Sequence, residues 1–178
     1  MSPYLLLGVL SLAGYFYSRD AIGAEITVHT DSFTKYDDLF KKYSRISGIP
    51  WRYIKAVAFV ESDLGRDSRA FDIEKSIDGK SVGIMQTILT TSNEVRPGTS
   101  LDDLIVPEIS IDVGSRILKR NRKKFPLSWE YTIRAYNGGL GFMSTVAGQR
   151  DTPKYWQKFL DRLSDILKQQ PGDELEIG

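Results

Sequence analysis

The spacing of apolar residues is the feature that most constrains what this chain can fold into. From residue 32 to residue 170, apolar side chains recur at intervals of three and four, which places them on one face of a helix. Alternation with a period of two, which marks a half-buried strand, is confined to a weak run over residues 25–30. We therefore predict an all-α, predominantly helical fold, built as a single compact domain over residues 32–170.

Caps, prolines and glycines divide this domain into helices. Ser32 and Ser128 stand where N-cap residues are favoured, and Pro107 and Pro153 stand where a first helical residue is expected. Gly48 suits the left-handed position that follows a helix. These signals predict helices over about 32–47, 50–61, 107–124, 128–136 and 153–167, with a polar loop at 65–80.

Composition excludes several classes of protein. The 178 residues carry 24 Lys and Arg against 23 Asp and Glu, so a net charge of +1 provides no basic field to hold nucleic acid. The absence of cysteine excludes disulfides, thiolate metal sites and a cysteine nucleophile. The single histidine, His29, lies outside the patterned region, which excludes a metal site built from several histidines.

Residues 1–18 form a separate hydrophobic segment. Residues 3–17 carry no charge, and Arg19 and Asp20 end the run. The run is just short of the roughly 17 residues that a bilayer-spanning helix needs, and it lacks the basic start of a signal peptide. Three interpretations stay open, namely an uncleaved signal anchor, a cleaved signal peptide and a buried core helix. We interpret residues 19–31 as a linker and residues 171–178 as an acidic tail.

Glu61 is the first residue that indicates chemistry. It falls at the end of a predicted helix, on the face shared with Ile54, Val57 and Ala58. Partial desolvation there disfavours the carboxylate and raises the pKa of Glu61, and the negative end of the helix dipole acts in the same direction. A raised pKa is what a general acid needs near neutral pH. The alternative is a glutamate that turns into solvent at a frayed helix end.

The segment Ser81-Val82-Gly83-Ile84-Met85-Gln86 follows the polar loop. Gly83 would let backbone approach a ligand closely, and Gln86 offers both a donor and an acceptor to a sugar. The alternative is an ordinary turn that enters a helix, with Ile84 and Met85 in the core.

Two further segments follow in the C-terminal half. In Ala135-Tyr136-Asn137-Gly138-Gly139 an aromatic and an amide precede a pair of glycines, which is typical of a sugar-contacting wall or of a plain helix end. In Asp151-Thr152-Pro153-Lys154-Tyr155-Trp156 the alternative to a site is the capped start of an amphipathic helix.

Taken in order, the four segments resemble the catalytic domain of soluble lytic transglycosylases, a lysozyme-like family related to goose-type lysozyme. Its pattern is Glu-Ser ending a helix, then Gly-Leu-Met-Gln, Ala-Tyr-Asn-Ala-Gly and Glu-Thr-x-x-Tyr-Val. Residues 36–160 carry the resemblance, including Pro107, Ile111, Gly114 and Leu118 of the helix between the second and third motifs. The departures from the pattern are Ile84 for Leu, Ser110 for Asn, Gly138 for Ala, Asp151 for Glu and Trp156 for Val.

The resemblance implies cleavage of the β-1,4 bond between N-acetylmuramic acid and N-acetylglucosamine in peptidoglycan. Glu61 would act as acid and then as base, giving a 1,6-anhydromuramic product without metal or organic cofactor. Ser62 would orient Glu61. The glycan-binding set that the resemblance implies is Ser62, Ser81, Gly83, Met85, Gln86, Tyr136, Asn137 and Tyr155.

Several alternatives to this reading remain. A goose-type hydrolase would use the same acid with water as nucleophile, and a loop carboxylate such as Asp72 or Asp78 would position that water. A non-catalytic envelope or virion structural protein would keep the fold alone. The expected partners are glycan strands, a membrane through residues 1–18, and an envelope, secretion, conjugation or phage assembly, but no nucleic acid. The domain would face the periplasm and the wall, either anchored or released after signal cleavage.

Overall fold

The computed structural model describes residues 32–74, 81–151 and 153–171. Its helices are α1 (Asp37–Ser47), α2 (Trp51–Ser62), α3 (Leu89–Val95), α4 (Leu101–Leu104), α5 (Pro107–Lys124), α6 (Trp129–Gly138), α7 (Leu140–Met143), α8 (Val146–Asp151) and α9 (Pro153–Gln169). A 3-10 helix covers Ser68–Phe71, and two short strands are β1 (Ser81–Val82) and β2 (Thr87–Ile88). The prediction of an all-α domain is confirmed.

The predicted segments at the two chain ends fall mostly outside this description. The hydrophobic segment at residues 1–18, the linker at 19–31 and residues 172–178 of the acidic tail are not described, and neither is Asp78. The chain divides into one compact unit at Met1–Lys35 and another at Tyr36–Gly178, which holds all the helices named above. Among the described helices, none has the length and apolar character needed to cross a membrane.

Helix α2 forms the centre of the domain. Residues 52–59 are all buried, and α2 packs against α1, α5 and α9. Tyr53 meets Phe159 of α9 edge to face, with 5.3 Å between the ring centroids. Burial of apolar surface contributes about 25 cal/mol per Å², so the packing around α2 stabilises the domain. It also fixes where the last residues of α2 lie.

A buried ion pair ties the end of the last helix to the first two. Lys55 Nζ donates to Asp37 Oδ1 at 2.6 Å and to Gln170 Oε1 at 2.8 Å, while Gln170 Nε2 donates to Asp37 Oδ2 at 2.6 Å. Lys55 is fully buried, and burial lowers its pKa. Buried charges persist where they are paired and hydrogen-bonded, as they are here. The network closes α9 over α1 and α2.

The predicted helix signals are confirmed where they are local. Gly48 adopts a left-handed conformation after α1, with φ of 76°, and its N–H donates to Ser44 O. Ser128 Oγ accepts from Tyr131 N–H at 3.1 Å, and Pro107 opens α5. The helix predicted from residue 32 is interrupted, because residues 32–34 are helical, residues 35–36 form a turn and α1 begins at Asp37.

A small antiparallel hairpin follows the polar loop and was not predicted. Ser81 pairs with Ile88 and Val82 with Thr87. Strands of two residues are too short to show a period of two, so the sequence pattern cannot reveal them. Val82 joins an apolar cluster with Leu104, Val113 and Ile117, which packs the hairpin against α4 and α5.

Candidate active site

The C-terminal end of α2 is held against the hairpin by Ser62. Its hydroxyl donates to Ile84 O at 2.7 Å and accepts from Gly65 N–H at 3.0 Å. Asp63 and Leu64 then take left-handed conformations, with φ of 54° and 59°, which turn the chain away from the helix axis. Ser62 is buried and joins the end of α2, which carries Glu61, to the hairpin.

Gly83 is required by a close approach within the protein. Its φ is +80°, and a Cβ at this position would lie 1.9 Å from Leu104 O and 2.5 Å from Ser110 Oγ. The sequence suggested that Gly83 admits a ligand, whereas the structure places α4 and α5 against it. Ser110, which replaces the usual Asn, accepts a hydrogen bond from Met85 N–H at 3.1 Å.

Met85 lies in the core, as the simpler interpretation of its motif held. Its side chain is fully buried, and a Cβ added at Gly114 of α5 would meet it at 2.5 Å. The Met85 side chain does not line the cavity described below. Its backbone carbonyl contributes instead, because it accepts a hydrogen bond from Tyr136 Oη at 2.8 Å.

These segments surround a cavity of about 680 Å³. The predicted site residues on its wall come from α2, the hairpin and α6; they are Glu61, Ser81, Gln86, Tyr136 and Asn137. Ser62, Gly83, Met85 and Tyr155 do not line it but support residues that do. Gln86 has φ of 44° and donates through Nε2 to Gly83 O at 2.9 Å. The structure thus brings residues of the first three predicted motifs to one cleft, and Tyr155 of the fourth donates a hydrogen bond to Glu61 on its wall.

Glu61 is the carboxyl on the cavity wall that can give and take a proton near neutral pH. Desolvation raises its pKa to about 7, against opposing effects of a hydrogen bond from Tyr155 and the positive charge of Lys158. Tyr155 Oη donates to Glu61 Oε1 at 2.5 Å. A carboxyl of this pKa is protonated in about half of the molecules near pH 7. It can therefore donate a proton and take one back at the same pH, which general acid–base catalysis requires.

Two tyrosines flank this carboxyl, Tyr155, which is buried, and Tyr136, which is partly buried. Burial, followed by the nearby negative charge of Glu61, raises the pKa values of Tyr155 and Tyr136 well above the usual range. Both phenols therefore stay neutral and act as hydrogen-bond donors. Tyr155, which the sequence assigned to glycan binding, donates a hydrogen bond to Glu61 from α9, and we propose that it orients the carboxyl.

We expect Tyr155→Phe to raise the pKa of Glu61, because the lost hydrogen bond favours the carboxylate form. The alkaline limb of kcat/KM against pH reports loss of the acid's proton and should move to higher pH. The control is Tyr131→Phe, a tyrosine of α6 whose ring packs on Phe125 away from the cavity. An alkaline limb that stays in place or moves down would contradict the role given to Tyr155.

Sequence reasoning missed part of the cavity wall. The additional polar residues there are Thr87, Thr91, Glu94 and Arg120. Arg120 Nη1 donates to Glu94 Oε2 at 2.5 Å, which joins α5 to α3. The sequence does indicate the position of Arg120, because it lies on the same face of α5 as the buried residues Val113 and Ile117. Among the described residues, no group of three or more His, Cys, Asp or Glu side chains could hold a metal ion.

The described domain is all-α, and its cleft holds a desolvated glutamate within hydrogen-bond distance of a tyrosine, an arrangement that suits proton transfer. Comparison with known families agrees with such chemistry. The family described as Transglycosylase SLT domain matches residues 38–159, and the chain belongs to that family. The resemblance seen in the four motifs is therefore confirmed.

One curated relative is the membrane-bound lytic murein transglycosylase F of Alcanivorax borkumensis. It is 29% identical over 159 residues, which cover 83% of this chain and 32% of the relative. The chain therefore spans about a third of the length of this relative. No solved structure matches the chain.

Proposed function

We propose that this chain is a peptidoglycan lytic transglycosylase that cleaves the β-1,4 bond between N-acetylmuramic acid and N-acetylglucosamine. The observation that carries the proposal is Glu61, a desolvated carboxyl with a pKa of about 7 on the wall of the cleft. Membership of the transglycosylase SLT domain family supports the reaction class. The name of the relative, a lytic murein transglycosylase, supports peptidoglycan as the substrate.

In the first step, protonated Glu61 donates its proton to the glycosidic oxygen and the bond from that oxygen to C1 breaks. The positive charge that develops at C1 needs a partner. Most glycosidases supply a second carboxylate, but some rely on the substrate itself. The carbonyl oxygen of the muramyl N-acetyl group can serve here, because it lies on the same sugar ring.

In the second step, the Glu61 carboxylate accepts the proton of the muramyl C6 hydroxyl. The C6 oxygen attacks C1 and closes a 1,6-anhydro ring, so no water is consumed and Glu61 ends protonated as it began. The nucleophile belongs to the bound sugar, and this proximity replaces a bimolecular attack. The hydrogen bond from Tyr155 Oη to Glu61 Oε1 would hold the carboxyl in the same orientation in both steps.

Hydrolysis by water is the second candidate, because Glu94 places another carboxylate on the cavity wall. Its Oε2 accepts a hydrogen bond from Arg120 Nη1 at 2.5 Å, so that oxygen is engaged with the guanidinium rather than with a water. Asp72, suggested by the sequence as a water-positioning residue, does not line the cavity. The product distinguishes the two reactions, because hydrolysis adds one water.

The remaining cleft residues would hold the glycan. Gln86, Asn137 and Ser81 offer amide and hydroxyl groups to the sugar, and Tyr136 offers its ring. The substrate requires a domain that faces the wall. Residues 1–18 would tether it there or direct its export, which the word membrane-bound in the name of the relative supports.

Digestion of purified sacculi tests this proposal. We expect the full-length chain to release soluble muropeptides and to clear a peptidoglycan zymogram. A wall-binding structural protein would instead sediment with the sacculi and release nothing. Binding without release would therefore contradict the enzymatic function and support the non-catalytic alternative.

A further inference from the structure

The ion pair between Glu94 and Arg120 lies on the wall of the cleft, and the proposed mechanism does not use it. Its two side chains differ in exposure, because Arg120 is 26% exposed and Glu94 is 63% exposed. The arginine is thus fixed in the wall, whereas the carboxylate stands mostly in solvent. An exposed ion pair contributes little to stability, usually about 0–1 kcal/mol, so stability alone does not explain this pair.

The guanidinium makes few hydrogen bonds within the described part of the protein. Arg120 Nε has no hydrogen-bond partner there, but it is buried, so a ligand in the cleft would have to bind through the Nη atoms. Arg120 Nη2 lies 3.4 Å from Asn121 Oδ1, but the Asn121 amide is better satisfied when turned over. Its nitrogen then donates to Ile117 O and its oxygen accepts from Tyr136 N–H, both at 3.2 Å. With the amide in that orientation, Glu94 Oε2 is the hydrogen-bond acceptor for Arg120 among the described residues.

Two other arginines of this helix are engaged elsewhere. Arg116 pairs with Asp112 at 2.7 Å, and Arg122 lies 4.1 Å from the ring centroid of Trp129. Among the described residues that line the cavity, Arg120 is the one with a positively charged side chain. The cleft wall therefore carries one positive charge, held beside an exchangeable carboxylate.

We propose that Arg120 is a carboxylate-binding subsite that selects glycan strands by the acidic substituent of the muramyl residue. A planar guanidinium binds a carboxylate through two parallel hydrogen bonds, which Lys cannot reproduce. The substrate's carboxylate would take the place of Glu94, whose exposed side chain can turn into solvent. This inference rests on the proposed function, because it names the feature of the same substrate that the cleft recognises.

Two sources could supply this carboxylate. One is the lactyl group of a muramyl residue that has lost its peptide, and the other is a carboxylate of an intact stem peptide. Soluble strands in three forms separate them, namely peptide-bearing strands, strands stripped by an amidase, and strands whose carboxylates are converted to neutral methylamides.

Initial rates are measured on these strands with the full-length wild type, Arg120→Gln and Glu94→Gln. We expect Arg120→Gln to raise KM roughly tenfold or more on carboxylate-bearing strands, since hydrogen bonds to charged groups contribute about 1.5–3 kcal/mol. Its kcat should change little, and it should match the wild type on neutral strands. Glu94→Gln should lower KM, because it removes the competing carboxylate. Opposite effects of the two variants cannot come from loss of folding.

The matched control is Lys119→Gln, which removes a neighbouring exposed charge that does not line the cavity. A response to Arg120→Gln on stripped strands would assign the lactyl carboxylate, and a response restricted to peptide-bearing strands would assign the stem peptide. Equal KM values for wild type and Arg120→Gln on all strands, or equal losses on neutral strands, would overturn this inference alone. A wild type that releases no product would overturn the proposed function as well.

Discussion

Replacing Glu61 with Gln is expected to reduce muropeptide release by about 10²–10⁴-fold, the usual contribution of a positioned general acid. Gln keeps the size of the side chain and a hydrogen-bonding group for Tyr155, but it has no acidic proton to transfer to the glycosidic oxygen. The change should appear in kcat on purified sacculi or soluble strands. The control is Glu130→Gln, a half-exposed glutamate of α6 that pairs with Arg134 and does not line the cavity.

Thermal unfolding tests whether the loss of activity in Glu61→Gln is chemical rather than structural. The folded-state pKa of Glu61, about 7, lies above its ordinary value of 4.5. Protonated Glu61 therefore carries no electrostatic cost below pH 4.5, whereas ionisation of the buried carboxyl destabilises the fold as pH rises through 7. Glu61→Gln carries no such penalty, so its melting temperature relative to the wild type should rise between pH 5 and pH 8. A variant that kept more than about a tenth of the wild-type rate would show that Glu61 is not the acid.

Gly83→Ala is expected to destabilise the domain by about 3 kcal/mol, since overpacking costs 1–3 kcal/mol and a positive φ adds roughly one more. The added Cβ would lie 1.9 Å from Leu104 O, and backbone cannot move aside as a flexible side chain can. A loss of this size lowers the melting temperature by roughly 6–12 °C in a domain of this length.

Gly98→Ala is the matched control for this steric effect. Gly98 has φ of +81°, almost the same as Gly83, but an added Cβ would meet nothing within 4 Å. Its variant should therefore carry the conformational cost alone, about 1 kcal/mol. Equal melting temperatures for the two variants would contradict the argument that α4 and α5 press on the hairpin at Gly83.

The features predicted correctly from the sequence are those set by neighbouring residues. Gly48 after α1, Pro107 at the start of α5 and Ser128 before α6 act through the backbone of one turn. The expectation for Glu61 was also local, because its helix face already placed it beside apolar residues. Burial then raises the pKa of Glu61, as that position indicated.

The features that the sequence did not predict join distant parts of the chain. Tyr155 was assigned to the site, but its bond to Glu61 spans 94 positions and could not be read from spacing. The Arg120–Glu94 pair spans 26 positions, and its residues look like ordinary surface charges in their own helices. For Met85, local pattern allowed both core and site, and tertiary packing against α5 selected the core.

The mass of the sugar end released from sacculi tests the central claim most directly. Digestion in heavy-oxygen water, followed by mass spectrometry of the muropeptides, reports whether solvent enters the product. The proposed mechanism predicts 1,6-anhydromuramic ends that are lighter than a reducing end by one water and carry no heavy oxygen. Reducing ends that carry one heavy oxygen, formed as the main product, would contradict it and establish hydrolysis by water in the same cleft.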